Sequence, residues 1–280
     1  MQDLDALRAY LSKPSAYWPE GAGQPVRLES RLAELEETLR TDRTGVIDEL
    51  VAVGRFRARF AARSIYIDSL GHSGSRWLMG VLGGLVDTVP AGEVYLPQDV
   101  FEELIRPSKR ERRAIVQGIY AAHAYRPDLA LITGHSVNTC HTTSVHRYSR
   151  HDGDALKILL KRDPADLVLA RALTGEGGAG PDAAAAVEAA IRKVSDFFEF
   201  LKPEEFDLVV RYEDLMAEPE PIVREIAGRL EASPDPARIA AALSAEGRDA
   251  EDYRARIDVP AALEARAREA MVPVATKLGY

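Results

Sequence analysis

One cysteine, Cys140, stands in a chain of 280 residues, so no internal disulfide can form and nothing calls for an oxidising compartment. Long apolar runs are missing too. Nowhere do consecutive hydrophobic residues reach the roughly 20 needed to cross a bilayer, and the acidic opening Met1-Gln-Asp-Leu-Asp5 leads into no apolar targeting core. A positive balance is likewise absent: 36 Lys and Arg face 44 Asp and Glu, a formal net charge of −8. That argues against general nucleic-acid binding, which needs a basic face to neutralise phosphates. These absences predict a soluble, cytoplasmic protein with no nucleic-acid partner and no membrane span. What is present, 46% hydrophobic and 29% charged residues, is enough to bury a sizeable core.

Residues 1 to 63 read as helical, with Leu28, Leu32, Leu35 and Leu39 at three- and four-residue steps after a Pro/Gly-rich break at Pro19 to Pro25. From Ser64 the pattern changes to short apolar runs alternating with longer amphipathic stretches. Strands are predicted at the Ile65-Tyr66-Ile67 run and at Leu129 to Thr133, Leu156 to Leu160 and Asp207 to Arg211. Helices are predicted from Ser75 and over Pro164 to Leu173, Ala183 to Leu201, Glu218 to Leu230, Pro236 to Leu243 and Ala261 to Leu278, with a loop at Gly175 to Gly180. The fold class that follows is α/β: three layers, a largely parallel sheet flanked by helices, with an added N-terminal helical segment. The boundary falls between an extension of residues 1–63 and a domain of residues 64–280.

The most informative stretch is Ser64 to Met79, which reads as strand, tight turn and helix. Gly71 and Gly74 let backbone pack closely against a ligand, and the N–H groups of the helix start, with the Ser73 and Ser75 hydroxyls, suit negative oxygens. The turn lacks the Gly-Lys-Ser/Thr ending of an ATP or GTP loop and carries Gly74-Ser75-Arg76 instead. Taken alone, it is either a phosphate or sulfate cradle or a structural strand-to-helix turn.

Two further segments bear on that choice. Arg162 follows a strand and precedes Asp163-Pro164, a helix start, so it either grips a phosphate with two N–H groups or pairs with Asp163 or Asp166 to tie the helix. Tyr212, in Arg211-Tyr-Glu-Asp-Leu215, leaves the next strand at the same edge, where the alternative is a capping cluster over a core tyrosine. The basic run Arg106 to Arg113 is either a solvated helix face or a docking patch for an acidic acceptor.

In this order the three segments resemble the sulfotransferase family, whose fold is P-loop nucleotide-hydrolase-like, and the resemblance runs over roughly Ser64 to Tyr280. Gly71-His72-Ser73-Gly74-Ser75-Arg76-Trp77-Leu78 is similar to that family's 5′-phosphosulfate loop. Arg162-Asp163-Pro164 with Asp166-Leu-Val-Leu is similar to its 3′-phosphate segment, and Arg211 to Leu215 to its Tyr-Glu-Asp segment, whose tyrosine lies near the nucleotide. Leu278-Gly279-Tyr280 looks like the endings of bacterial members.

The resemblance implies 3′-phosphoadenosine 5′-phosphosulfate as donor, no metal, and a small-molecule, lipid or glycan acceptor. It assigns Trp77 an adenine-facing role, against the alternative of a core aromatic. Departures are plain: His72 replaces the usual loop Lys or Arg and carries full charge only below about pH 6.5. Ala170 replaces a phosphate-binding serine, with Arg171 as a compensating cation. No clear Arg-Lys-Gly segment follows, though Arg248, Arg254 and Arg256 offer cations.

Two general bases are in view: Glu93, after the first helix where tyrosyl-protein and heparan-type enzymes carry a glutamate, and His135, resembling the histidine of cytosolic small-molecule enzymes. Glu93 is preferred. His135, Cys140, His141 and His146 also lie close in sequence, but no second ligand cluster completes a zinc pattern. The competing functions are a P-loop-like small-metabolite kinase and a nucleotide-binding scaffold that has lost its chemistry. No motif identifies the acceptor or decides whether the chain forms a homodimer.

Overall fold

The computed structural model describes residues 5–11, 24–60, 63–85, 88–94, 96–106, 109–123, 135–140, 148–174, 182–199, 201–245 and 258–280. In chain order the elements are α1 (Asp5–Leu11), α2 (Gln24–Arg57), β1 (Ser64–Asp68), α3 (Ser75–Leu85), β2 (Thr88–Glu93), α4 (Gln98–Ile105), α5 (Arg112–His123) and β3 (His135–Cys140). There follow β4 (Leu156–Lys161), α6 (Pro164–Thr174), α7 (Ala183–Glu199), β5 (Leu208–Arg211), α8 (Tyr212–Ala217), α9 (Pro219–Arg229), α10 (Pro236–Ala245) and α11 (Ala261–Leu278). The sheet order is β2-β3-β1-β4-β5, which puts β1 at the centre. Every residue of β1 is buried, as a central strand covered on both faces requires. The molecule is α/β, mainly helical, with a largely parallel sheet flanked by helices.

The predicted strand at Leu129 to Thr133 and the loop at Gly175 to Gly180 lie outside the described residues. Two strands were not expected: β2, Thr-Val-Pro-Ala-Gly-Glu, and β3, His-Ser-Val-Asn-Thr-Cys. Neither carries an apolar alternation. β2 tolerates Pro90 because it lies at the edge of the sheet, where an N–H is not needed on one side.

The chain divides into two compact units. The first comprises Met1–Ile65, Asp87–Asn138 and His146–Ala155. Within it α2 packs along α5, and Leu35, Leu39, Val46, Leu50 and Val51 of α2 and Ile115, Val116 and Ile119 of α5 are buried. α2 is two helices merged across Asp42, whose φ of −144° leaves the helix and whose Oδ1 accepts from the Gly45 N–H at 3.0 Å, a cap for the second segment.

The α2–α5 crossing is set by glycines. A Cβ on Gly54 would sit 1.9 Å from the Ala114 carbonyl oxygen, and one on Gly118 would sit 2.3 Å from that of Leu50. Backbone meets backbone there, so Gly54→Ala or Gly118→Ala should destabilise the protein by about 3 kcal/mol or more, above the usual overpacking range, because no side chain can move aside. Urea titration checks this, and a loss within about 0.5 kcal/mol, typical of an unconstrained surface site, would contradict it.

In the same unit Phe101 and Tyr120 both pack edge-on against Tyr148, at ring separations of 4.7 and 5.5 Å. Buried Asp152 is met by Gln117 Nε2 at 3.3 Å and by Arg113 Nε at 3.3 Å. Arg113 also pairs with Asp154 at 2.5 Å, and Arg112 Nε donates to the Ile105 carbonyl. Two cations of the basic run are thus tied internally, while Arg106, Lys109 and Arg110 are exposed.

The second unit comprises Tyr66–Val86, Thr139–Val145 and Leu156–Tyr280. Here β4 and β5 pair in parallel, with Leu159 opposite Val209 and Lys161 opposite Arg211. α6, α7 and α11 pack together over a core that includes Leu167, Val168, Val187, Val194, Phe198 and Met271. α10 lies against α3, where Arg238 Nε donates to the Gly84 carbonyl at 3.1 Å, satisfying an orphan acceptor at the C-terminal end of α3. Gly279, at φ 74°, closes α11 in the left-handed conformation.

Candidate functional site

The loop between β1 and α3 carries the backbone feature that sets this region apart. His72 and Gly74 both have positive φ, 75° and 79°, and among the described residues the only other non-glycine with positive φ is Glu231. Two left-handed residues one apart turn neighbouring N–H groups into a concavity suited to an anion, and α3 adds its own first-turn N–H groups and positive dipole end. The Leu78 N–H donates to the Gly74 carbonyl at 2.9 Å, so the helix ladder begins directly on the loop. Ser73 Oγ donates to the Leu70 carbonyl at 2.7 Å; its single proton holds the turn. Ser73 and Ser75 are buried, while His72 and Arg76 are exposed.

Gly74 has a second reason to be glycine. A Cβ there would stand 3.3 Å from Cδ2 and Cε2 of Tyr212, so the first residue of α8 packs its ring on the loop. The Arg162 guanidinium also lies over that ring, with Cζ 4.3 Å from the centroid. Arg162 is 4% exposed, donates from Nη1 to the His72 carbonyl at 2.6 Å and from Nε to Asp166 Oδ2 at 2.7 Å, and closes Nη2 on the same oxygen. The ion pair with Asp166 is present, and it is joined by a contact to the loop 90 residues away.

The start of α6 is over-determined. Asp163 Oδ1 accepts from the N–H groups of Ala165 and Asp166 at 2.8 and 3.0 Å, with Pro164 at the first helical position. The Asp163 N–H in turn donates to Glu213 Oε1 at 2.8 Å, and Glu213 Oε2 accepts from the Tyr280 hydroxyl at 3.0 Å. Arg211 and Lys161 both lie over the Tyr280 ring, at 4.6 and 5.1 Å. Burial and the neighbouring Glu213 carboxylate push the Tyr280 hydroxyl well above the ordinary tyrosine range, so it stays a donor. Burial and the adjacent Arg211 pull the Lys161 ammonium down.

Ala170 is 1% exposed, so the position where the family pattern has a hydroxyl faces the core here. One turn on, exposed Thr174 donates from Oγ1 to the Ala170 carbonyl at 2.6 Å and lies 3.5 Å from His72 Nδ1. Its single proton is committed to that carbonyl. Arg171 Nη1 lies 3.3 Å from where a Cβ on Gly71 would be, which sets its guanidinium over the first glycine of the loop. Trp77 is 5% exposed on the buried face of α3, the position of a core aromatic.

The loop, Arg162, Arg171 and Tyr212 therefore come together within the second unit. Glu93 is the last residue of β2 and His135 the first of β3; both side chains lie outside the described residues, as do His141, His146, Arg248, Arg254 and Arg256. Among the described residues no group of three or more His, Cys, Asp or Glu is arranged to hold a metal ion, and no helix is long and apolar enough to cross a membrane. Sequence reasoning missed Thr174 and the double role of Glu213. An Oγ at the end of a predicted helix and a carboxylate beside a tyrosine carry no local signal of such long-range contacts.

No family model and no curated protein matches the chain. Among solved structures, sulfotransferase STF1 of Mycobacterium tuberculosis H37Rv aligns over 97% of this chain and 91% of its own, at 14% identity and a TM-score of 0.50. The sulfotransferase domain of the Synechococcus PCC 7002 olefin synthase aligns over 76% of this chain and 95% of its own, at 18% identity and a TM-score of 0.41. The chain has a sulfotransferase-like fold.

Proposed function

We propose that the protein is a sulfotransferase that moves a sulfuryl group from 3′-phosphoadenosine 5′-phosphosulfate to a hydroxyl or amine of a small-molecule, lipid or glycan acceptor. The observation that carries this reading is the pair of left-handed residues, His72 and Gly74, opening α3 at the end of the central strand in a loop without the lysine of an ATP site. In this reading residues 64–280 carry the transferase, residues 1–63 are an added helical segment, and a reducing cytoplasmic setting suits the single cysteine.

The donor supplies an electrophilic sulfur: the acceptor oxygen or nitrogen bonds to it in line as its bond to the 5′-phosphate oxygen breaks and adenosine 3′,5′-bisphosphate leaves with the electron pair. The protein's share is positioning and charge stabilisation. N–H groups from Gly71 through Arg76 hold the phosphosulfate, with Arg76 and protonated His72 neutralising charge that grows on the leaving phosphate. Tyr212 and Arg162 keep Gly74 and His72 in their left-handed conformations from behind. Glu93 takes the acceptor's proton, with His135 as the alternative. Glu93 is favoured because it lies in the segment after α3 where the resembling enzymes carry a glutamate.

Thermal denaturation with nucleotides tests the reading. Adenosine 3′,5′-bisphosphate should raise the melting temperature, since selective binding at a hundredfold excess over Kd adds about 2.7 kcal/mol to the native state. ATP should do much less. Equal shifts with both would favour a kinase, and no shift with either would remove the donor site. Binding without turnover across an acceptor library would leave a scaffold.

A further inference from the structure

Positive charge is concentrated in the first unit, on residues to which the donor reading gives no role. Residues 55–63 and 106–113 hold nine Lys and Arg against one acid, Glu111, in a chain of net charge −8. The close approach of Gly54 to the Ala114 backbone brings the two runs side by side, and Arg55 and Ala58 share a groove of about 520 Å³ with Arg110 and Ala114. Part of this charge is committed: Arg57 is buried, Arg112 donates to the Ile105 carbonyl, and Arg113 meets Asp152 and Asp154. Arg55, Arg59, Arg106, Lys109 and Arg110 are exposed, and Glu111 is offset by Arg55 at 2.6 Å. An aromatic pair lies among them. Phe56, 43% exposed, packs edge-on with Phe60 at 5.5 Å and lies under the Arg59 guanidinium at 6.0 Å. Among the described residues the other exposed large hydrophobics are Val209 and Val272.

We propose that this face of the first unit docks on an anionic lipid bilayer, with Phe56 entering the headgroup boundary and Arg55, Arg59, Lys109 and Arg110 on lipid phosphates. Docking of this kind needs an apolar anchor beside a basic surface, and no membrane-spanning helix. The two signals act together. A soluble polyanion would meet the cations equally well but offers Phe56 no apolar medium, and the Arg59 guanidinium covers a face of its ring on which a nucleic-acid base would stack. The rest of the chain is strongly acidic and is repelled by the same lipid charge, which turns this face toward the membrane.

Sedimentation of the full chain with vesicles tests this. Vesicles of phosphatidylcholine mixed with phosphatidylglycerol should carry the protein down at low salt and release it as salt is raised, and vesicles of phosphatidylcholine alone should not bind it. The double variant Arg59→Ala, Arg110→Ala should bind the mixed vesicles on the order of twentyfold more weakly, about fivefold for each cation. Phe56→Ser should weaken binding about threefold or more, since only the exposed part of the ring gains from burial. Arg224→Ala with Arg229→Ala, two exposed cations of α9 in the second unit, makes the same change in net charge and should stay within about twofold of wild type. A wild type that does not sediment with the mixed vesicles overturns the proposal, as does an equal loss in the α9 pair, which would mean that net charge and not this face drives binding. Unchanged affinity in Phe56→Ser beside a loss in the Arg59, Arg110 variant overturns it as well and assigns the face to a soluble polyanion. Should Phe56→Ser fail to fold, the two arginine pairs, compared on mixed vesicles, decide alone.

Discussion

Gly74→Ala should weaken adenosine 3′,5′-bisphosphate by about tenfold or more, whereas Gly71→Ala should stay within about threefold of wild type. The difference lies in the backbone. Gly74 sits at φ 79°, and a methyl there would meet the Tyr212 ring at 3.3 Å on two atoms, a ring already in contact with buried Arg162. A left-handed alanine costs roughly 1–2 kcal/mol on conformation alone. The substituted loop relieves that strain by leaving the left-handed turn, which removes the N–H concavity, and a ligand must then restore it out of its own binding energy. Gly71 has no positive φ, and its methyl would meet only the mobile end of Arg171. Calorimetry on both variants decides. Equal losses, or a larger loss at Gly71, would move the anion site away from the His72–Gly74 turn.

That contrast also shows how far a sequence reaches. Both glycines are plain in the chain, but only the structure shows that Gly74 is held to glycine by its φ and by the Tyr212 ring while Gly71 is held by neither. β1 and α3 were legible because the buried run Ser64 to Asp68 and the apolar helix from Ser75 carry their periods locally. α6 and α11 were legible from Asp163-Pro164 and from Leu278-Gly279, whose side chains and conformations set helix ends. β2 and β3 were not, since Pro90, Gly92 and a run of Ser, Asn and Thr give no alternation, and partners across the sheet make them strands. The brace from Arg162 to the His72 carbonyl spans 90 residues and uses a backbone acceptor that every residue has. No residue type marks it in advance.

Glu93→Gln is expected to lower turnover by roughly a hundredfold or more while leaving the affinity for adenosine 3′,5′-bisphosphate nearly unchanged, the pattern of a lost general base. The amide keeps the shape of the carboxylate but cannot take a proton from the acceptor, so the loss falls on kcat and not on donor binding. A carboxylate base also has a characteristic pH dependence. Wild-type kcat should fall on acidification as the carboxylate is protonated, and the residual activity of Glu93→Gln should lack that limb. His135→Ala is the control, because the same sequence reading offered it as the alternative base. His135 opens β3 and Glu93 closes β2. If Glu93 is the base, His135→Ala keeps kcat within about threefold and retains the acid limb, well short of the hundredfold or more expected for loss of general-base assistance. If His135→Ala instead loses the hundredfold and Glu93→Gln does not, the proton leaves by the histidine, and acceptor chemistry must be sought at the start of β3.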